Sequence, residues 1–307
     1  MEEKKVLEES QGARVVMLDE YNLPPCIIVK SDGTTIYASR DIAAAMYRYN
    51  EYEFDKNIYV VGMPQALHFQ QVFAVLEKAG LPYAKDCVHV GFGLVKFKNM
   101  KFSTREGNIV TLNELLDESV AKTREIIAKN SILRGTEMSE EDIDRIASSV
   151  GIGSVIYTYL KSSRERDIVF SWEDMLDFEG DTAPYLIYTY ARTRSILRKA
   201  AEKEIKAVGA DDARLKLLTG EDEIAVIKLI EGLPDSIEKA SQTNEPFMVA
   251  RQTARIARAF NRFYNNSSIL GGQDENQRVA RLALCHAVCT AIKIGTGLLG
   301  IDVVEQM

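Results

Sequence analysis

The hydrophobic pattern changes its period once along the chain, and that change limits what the chain can fold into. Up to about residue 113, short runs rich in Val and Ile are flanked by Gly, Pro, Asn or Asp and read as strands: Val15 to Leu18, Cys26 to Lys30, Ile58 to Gly62 and Cys87 to Phe97. Between them, Arg40 to Tyr49 and Ala66 to Lys78 have helical spacing and good helix formers. Strands alternating with helices imply βαβ units and a mostly parallel sheet. Beyond that point strand signals nearly vanish. Ser139-Glu-Glu-Asp142 and Ser171-Trp-Glu-Asp174 have the form of capping boxes. Thr182-Ala-Pro184 starts another helix, with proline where its missing N–H costs nothing. The expected organisation is an α/β portion over 1–115, a helical connector over 116–181 and an all-α bundle over 182–307.

At 307 residues the chain has the length of about two domains and needs no disulfide or metal to stabilise its core. Its net charge of −7 excludes a generally basic nucleic-acid protein, so any such contact must come from local basic patches. Four cysteines do not suggest a disulfide framework. The N-terminus has no apolar signal core, and no apolar run reaches about 18 residues. A cytoplasmic protein with no membrane partner is expected.

Several stretches carry chemistry. "SDGTTIYASRD" follows a strand and leads into a helix, with Tyr37 and Asp41 one turn apart on one face. Open parallel sheets bind ligands at such strand ends. A carboxylate beside a phenol suits a planar cation, because it accepts two parallel N–H bonds from a guanidinium. The ordinary alternative is a carboxylate placed to favour the helix dipole. "VGMPQALHFQQVF" puts Gln65 and His68 after another strand, either at the same sheet edge or simply at a polar helix start. "RQTARIARAFNRF" sets Arg251, Arg255, Arg258 and Arg262 in a positive stripe, which suits phosphate contact or a salt-bridged surface. "PYLIYTYARTRSILRK" makes a second stripe of Tyr185, Tyr188, Arg192, Ser195 and Lys199, suited to phosphate and to stacking on unpaired bases. "CHAVC" places Cys285 and Cys289 on one apolar helix face, which reads as core; no metal site is expected.

Taken in order, these stretches resemble arginyl-tRNA synthetases over essentially the whole chain. The resemblance rests on Ser31-Asp-Gly-Thr34 with Tyr37-x-x-x-Asp41, on Val61-Gly62 with Gln65-x-x-His68-Phe69, on Lys101-Phe-Ser-Thr-Arg105 and on Phe178-Glu-Gly-Asp-Thr-Ala-Pro-Tyr185. Leu298 to Met307 looks like the family's C-terminus. Lys101 to Arg105 is similar to the class I signature loop, with Phe102 in place of the usual methionine. "HVGF" resembles the family's His-x-Gly-His turn only superficially, since Phe92 stands where the second histidine belongs. Ile187 stands where the family often has glutamine. The resemblance implies the C-terminal portion of a synthetase: the second half of a Rossmann-like nucleotide-binding fold, a stem-contacting helical connector and an α-helical anticodon-binding bundle.

The implied reaction is activation of arginine by ATP, with Mg2+ and no tightly bound cofactor, and transfer of arginine to its tRNA. By resemblance, Tyr37, Asp41 and Gln65 hold the arginine side chain. Lys101, Ser103, Thr104 and Arg105 bind ATP, with Lys101 and Arg105 catalytic through the charge they neutralise. Tyr188, Arg192, Lys199, Arg251, Arg255, Arg258, Arg262 and Tyr264 are the tRNA candidates, with Tyr264 for stacking. The full-length form is expected to be a monomer, and these 307 residues alone are expected not to form arginyl-adenylate. The alternative is a stand-alone, non-catalytic tRNA-binding protein derived from a synthetase.

Overall fold

A computed structural model describes residues 6–97, 111–134, 138–271 and 274–307. The chain divides into two compact units, one of residues 1–94 with 165–167, the other of 95–164 with 168–307.

The first unit opens with three strands, β1 (Glu8–Ser10), β2 (Ala13–Val16) and β3 (Cys26–Val29). They form an antiparallel meander rather than part of a mostly parallel sheet. The cause is local. Gln11 and Gly12 both have positive φ, 50° and 78°, and make a two-residue hairpin turn matched to strand twist. Helix α1 (Tyr37–Tyr52) follows, then β4 (Asn57–Gly62), α2 (Ala66–Lys78) and β5 (Cys87–Phe92). Here the expected βαβ unit is present, with β4 and β5 parallel from Asn57↔Cys87 to Gly62↔Phe92. α2 buries Phe69, Val72, Val75 and Leu76, a 3.6-residue stripe, against a core that includes Val16, Leu18, Ile42 and Tyr59. Each large side chain so buried contributes ~1.5–3 kcal/mol.

The expected strand over Cys87 to Phe97 breaks at Gly93. A Cβ there would collide with the backbone of Arg166, so the residue must be glycine. The chain re-forms as β6 (Val95–Phe97), which pairs in parallel with β7 (Ile168–Phe170) in the second unit.

The second unit is otherwise helical. Its elements are α3 (Leu112–Arg134), α4 (Glu140–Leu160), the short α5 (Trp172–Met175), α6 (Ala183–Glu202), α7 (Glu221–Glu231), α8 (Leu233–Thr243), α9 (Phe247–Asn266) and α10 (Glu275–Leu298). Three caps match the sequence. Ser139, Ser171 and Thr182 each accept a backbone N–H at the start of α4, α5 and α6. α3 and α4 share the core of the bundle, which includes Ile127, Ile143, Leu186, Phe260 and Cys285. α10 lies against α6, α7 and α9. By length and composition it could cross a membrane, and 61% of its most apolar stretch is buried inside the protein. Cys285 and Cys289 are both buried core residues, as the sequence implied, and burial pushes the Cys285 thiol up.

One face of the β4–β5 pair is uncovered. Ile58 and Val60 are 46% and 66% exposed, and Phe92, on the same face by register, is 44% exposed. Parallel strands are normally covered on both faces. The 307-residue chain should therefore self-associate as concentration rises, and Val60→Lys with Phe92→Lys should shift it to monomer in sedimentation velocity. Identical sedimentation of parent and variant would show that this face drives no association.

Candidate functional site

In the first unit a tight turn aims the start of α1. Asp32 Oδ1 accepts the Thr34 backbone N–H at 2.9 Å and its hydroxyl at 2.6 Å. These bonds from Thr34 hold the Asp32 carboxyl below its ordinary pKa. Gly33 supplies the positive φ of 81° that the turn needs. Ser39 then donates to the carbonyl of Ile28, tying α1 to β3. Tyr37 is the first residue of α1 and is 78% exposed. Asp41 lies one turn further along the same face.

The chain after β4 is turned by a short 3-10 segment, Met63–Gln65, whose second residue is proline. The Pro64 ring pre-sets the tight turn into α2. Gln65 stands at the N-cap position of α2 without a capping side-chain bond and is exposed. His68, one turn in, places Nε2 2.6 Å from Asp41 Oδ2. The structure therefore joins the Tyr37–Asp41 stretch to the Gln65–His68 stretch through one bond. That bond occupies Oδ2, so a guanidinium fork on both carboxylate oxygens would share Oδ2 with His68. His89, from the "HVGF" stretch, bonds the Val61 carbonyl at 2.9 Å and stacks on Phe69 at 4.7 Å, a packing role. Lys101, Ser103, Thr104 and Arg105 lie outside the described residues.

In the second unit, Tyr188, Arg192, Ser195, Lys199 and Tyr264 line one groove of about 910 Å3, which Met307 also lines. The Arg192 guanidinium lies between two rings, 4.9 Å from the centroid of Tyr188 and 5.0 Å from that of Tyr264. It also donates to Asn261 Oδ1, while the Asn261 amide donates to Tyr185 Oη and Thr189 Oγ1, each at 2.9 Å. Asn261 was not singled out by sequence. The available signal was weak: Asn261 is one of three polar residues, with Gln252 and Thr253, on the mostly apolar buried face of α9.

The arginine stripe of α9 is exposed throughout. Arg258 lies 3.4 Å from Asp181, and Arg262 lies 2.6 Å from Asp222, whose carboxyl is held low by Asn266 and then by Arg262. Arg255 donates to Gln252 at 3.3 Å. The acids that meet this stripe come from outside α9. Ile187 is fully buried in the bundle core, so no polar contact arises at that position.

The profile described as tRNA synthetases class I (R), catalytic domain, matches residues 1–172, and that described as DALR anticodon binding domain matches residues 186–307. The arginine–tRNA ligase of Clostridium perfringens is 51% identical over 308 aligned positions, covering 100% of this chain and 53% of that protein. That of Clostridium kluyveri is 50% identical with the same coverage. The chain thus spans about half the length of the curated relatives it matches. Among solved structures, the arginyl-tRNA synthetase of Plasmodium falciparum superposes with a TM-score of 0.80 at 25% identity, over all of this chain and 51% of that one. The Thermus thermophilus enzyme superposes with a TM-score of 0.85 at 23% identity, over all of this chain and 56% of that one.

The buried amide at 261 is the joint on which the groove's geometry depends. Asn261→Ala should cost about 1–3 kcal/mol, because it removes the bonds to Tyr185, Thr189 and Arg192 at once. The urea midpoint should fall with the slope of the transition unchanged. An unshifted midpoint would mean that water replaces the amide at no cost.

Proposed function

The chain belongs to the arginyl-tRNA synthetase family, and from that premise we propose that it serves an arginine–tRNA ligase, which activates arginine with ATP and transfers it to its tRNA. The observation that carries the reading is the bond between Asp41 and His68, which ties the start of α1, with its phenol Tyr37, to the start of α2, with its amide Gln65. Such a set suits a guanidinium. Asp41 supplies charge, while Tyr37 and Gln65 supply neutral acceptors for the remaining N–H groups. An ammonium has no planar fork to match them.

ATP, accompanied by Mg2+, is assigned to Lys101, Ser103, Thr104 and Arg105, where two cations neutralise charge growing on the phosphates and two hydroxyls orient their oxygens. Arginine tRNA is assigned to the groove residues Tyr188, Arg192, Lys199 and Tyr264 and to the stripe Arg251, Arg255, Arg258 and Arg262. An arginine already sandwiched between tyrosines extends an aromatic surface on which an unpaired base can stack. In this reading residues 1–115 serve catalysis, 116–181 contact the tRNA stem and 182–307 take the anticodon. The full-length protein acts as a cytoplasmic monomer.

Two measurements test this. In a protein of the relatives' length carrying this chain, Asp41→Asn should raise the KM for arginine by about 10-fold or more, the value of a charged hydrogen bond. An unchanged KM and turnover would remove Asp41 from the pocket. For tRNA, Lys199→Ala with Arg251→Ala should flatten the log–log salt dependence of binding by about one to two units, since each phosphate contact contributes ~0.7–0.9. Both side chains are exposed and, among the described residues, neither has a carboxylate partner. Equal slopes for parent and variant would place the tRNA elsewhere.

A further inference from the structure

The bond between His68 and Asp41 does more than join two helices. A carboxylate oxygen only accepts, so His68 Nε2 carries the hydrogen and donates it. The imidazole is itself fixed. It stands edge-on to Phe69, centroids 5.1 Å apart at 79°, and Phe69 is buried and stacked on His89. His89 in turn is bonded to the Val61 carbonyl on β4. The orientation of the parallel strand pair is thus relayed through two rings to one carboxylate. The His68 and Asp41 side chains are 25% and 34% exposed, and pairs so exposed add little to stability. Holding the fold together is therefore a poor explanation for this bond, whereas aiming Asp41 is a good one. The terminal torsion of an aspartate is broad, and a free carboxylate would rotate between many orientations.

We propose that His68 is a positioning residue for Asp41: by holding Oδ2 it presents Oδ1, which has no partner among the described residues, to the guanidinium of arginine. This rests on the assignment of Asp41 to the arginine pocket. Fixing the acceptor beforehand removes part of the ordering that binding would otherwise require. A rotating carboxylate would still attract any cation by charge, so the loss should fall on arginine capture rather than on ATP or turnover.

The test compares His68→Leu, His68→Gln and Asp41→Asn in a protein of the relatives' length carrying this chain. His68→Leu should raise the KM for arginine by about 10-fold, with kcat and the KM for ATP within about two-fold of the parent. Gln offers an N–H close to the position of Nε2 and should recover most of the loss. A second readout uses the 307-residue chain itself, whose three histidines give simple imidazole 15N spectra. His68 should show a protonated Nε2 whose signal moves with Asp41→Asn, while those of His89 and His286 stay in place. If Asp41→Asn raises the arginine KM and His68→Leu does not, the positioning role fails and the arginine pocket stands. If Asp41→Asn leaves that KM unchanged, the pocket fails and the proposal with it. Equal KM values for the Leu and Gln variants, or a His68 signal indifferent to Asp41→Asn, would also overturn it.

Discussion

Close approach of α9 to α10 is the contact on which the second unit depends. α9 turns Ala250, Ala254, Ala257 and Phe260 inward, and Gly295 of α10 lies so near Thr253 that a Cβ would overlap it. Small residues let the helices approach, and the remaining face of α9 is left for arginines and for Tyr264. Because Phe260 and Phe263 anchor the same helix from within, the polar residue between them has a fixed address. Asn261 can then bind Arg192 of α6, and the cation is clamped between rings drawn from two helices. The chemistry of the groove is a consequence of apolar packing beneath it.

The first unit follows a different logic. Its site is made by the beginnings of helices after strands, where short turns fix direction. The Asp32–Thr34 turn aims α1 and the proline-containing turn aims α2, so that Asp41 and His68 meet. The exposed face of β4 and β5 is the feature of this unit least like a finished α/β layer, because parallel pairs are stable when both faces are covered.

Much of this was legible in the sequence, for reasons that differ by element. α2 runs over the residues its periodicity indicates, since its apolar stripe is strong and its turn chemistry clear. The caps at Ser139, Ser171 and Thr182 were legible because capping is a local matter. The antiparallel meander was not, because a Gln-Gly hairpin turn carries a weaker signal than Asn-Gly or Asp-Gly. The partners of Arg258 and Arg262 were hidden for another reason: Asp181 and Asp222 lie 77 and 40 positions away, so the stripe looked free of acids along its own helix. Ion pairs of distant origin are set by tertiary packing, which a pattern of spacing along one helix does not record.

The central claim, that these residues belong to an arginine–tRNA ligase, is tested most directly by charging. A protein of the relatives' length carrying this chain is incubated with ATP, Mg2+, arginine tRNA transcript and each amino acid in turn, and the tRNA product is resolved on acid gels. The account predicts esterified arginine on that transcript, with lysine and the other amino acids at background. Charging with another amino acid at a comparable rate, or none with arginine while the protein is folded, would contradict it.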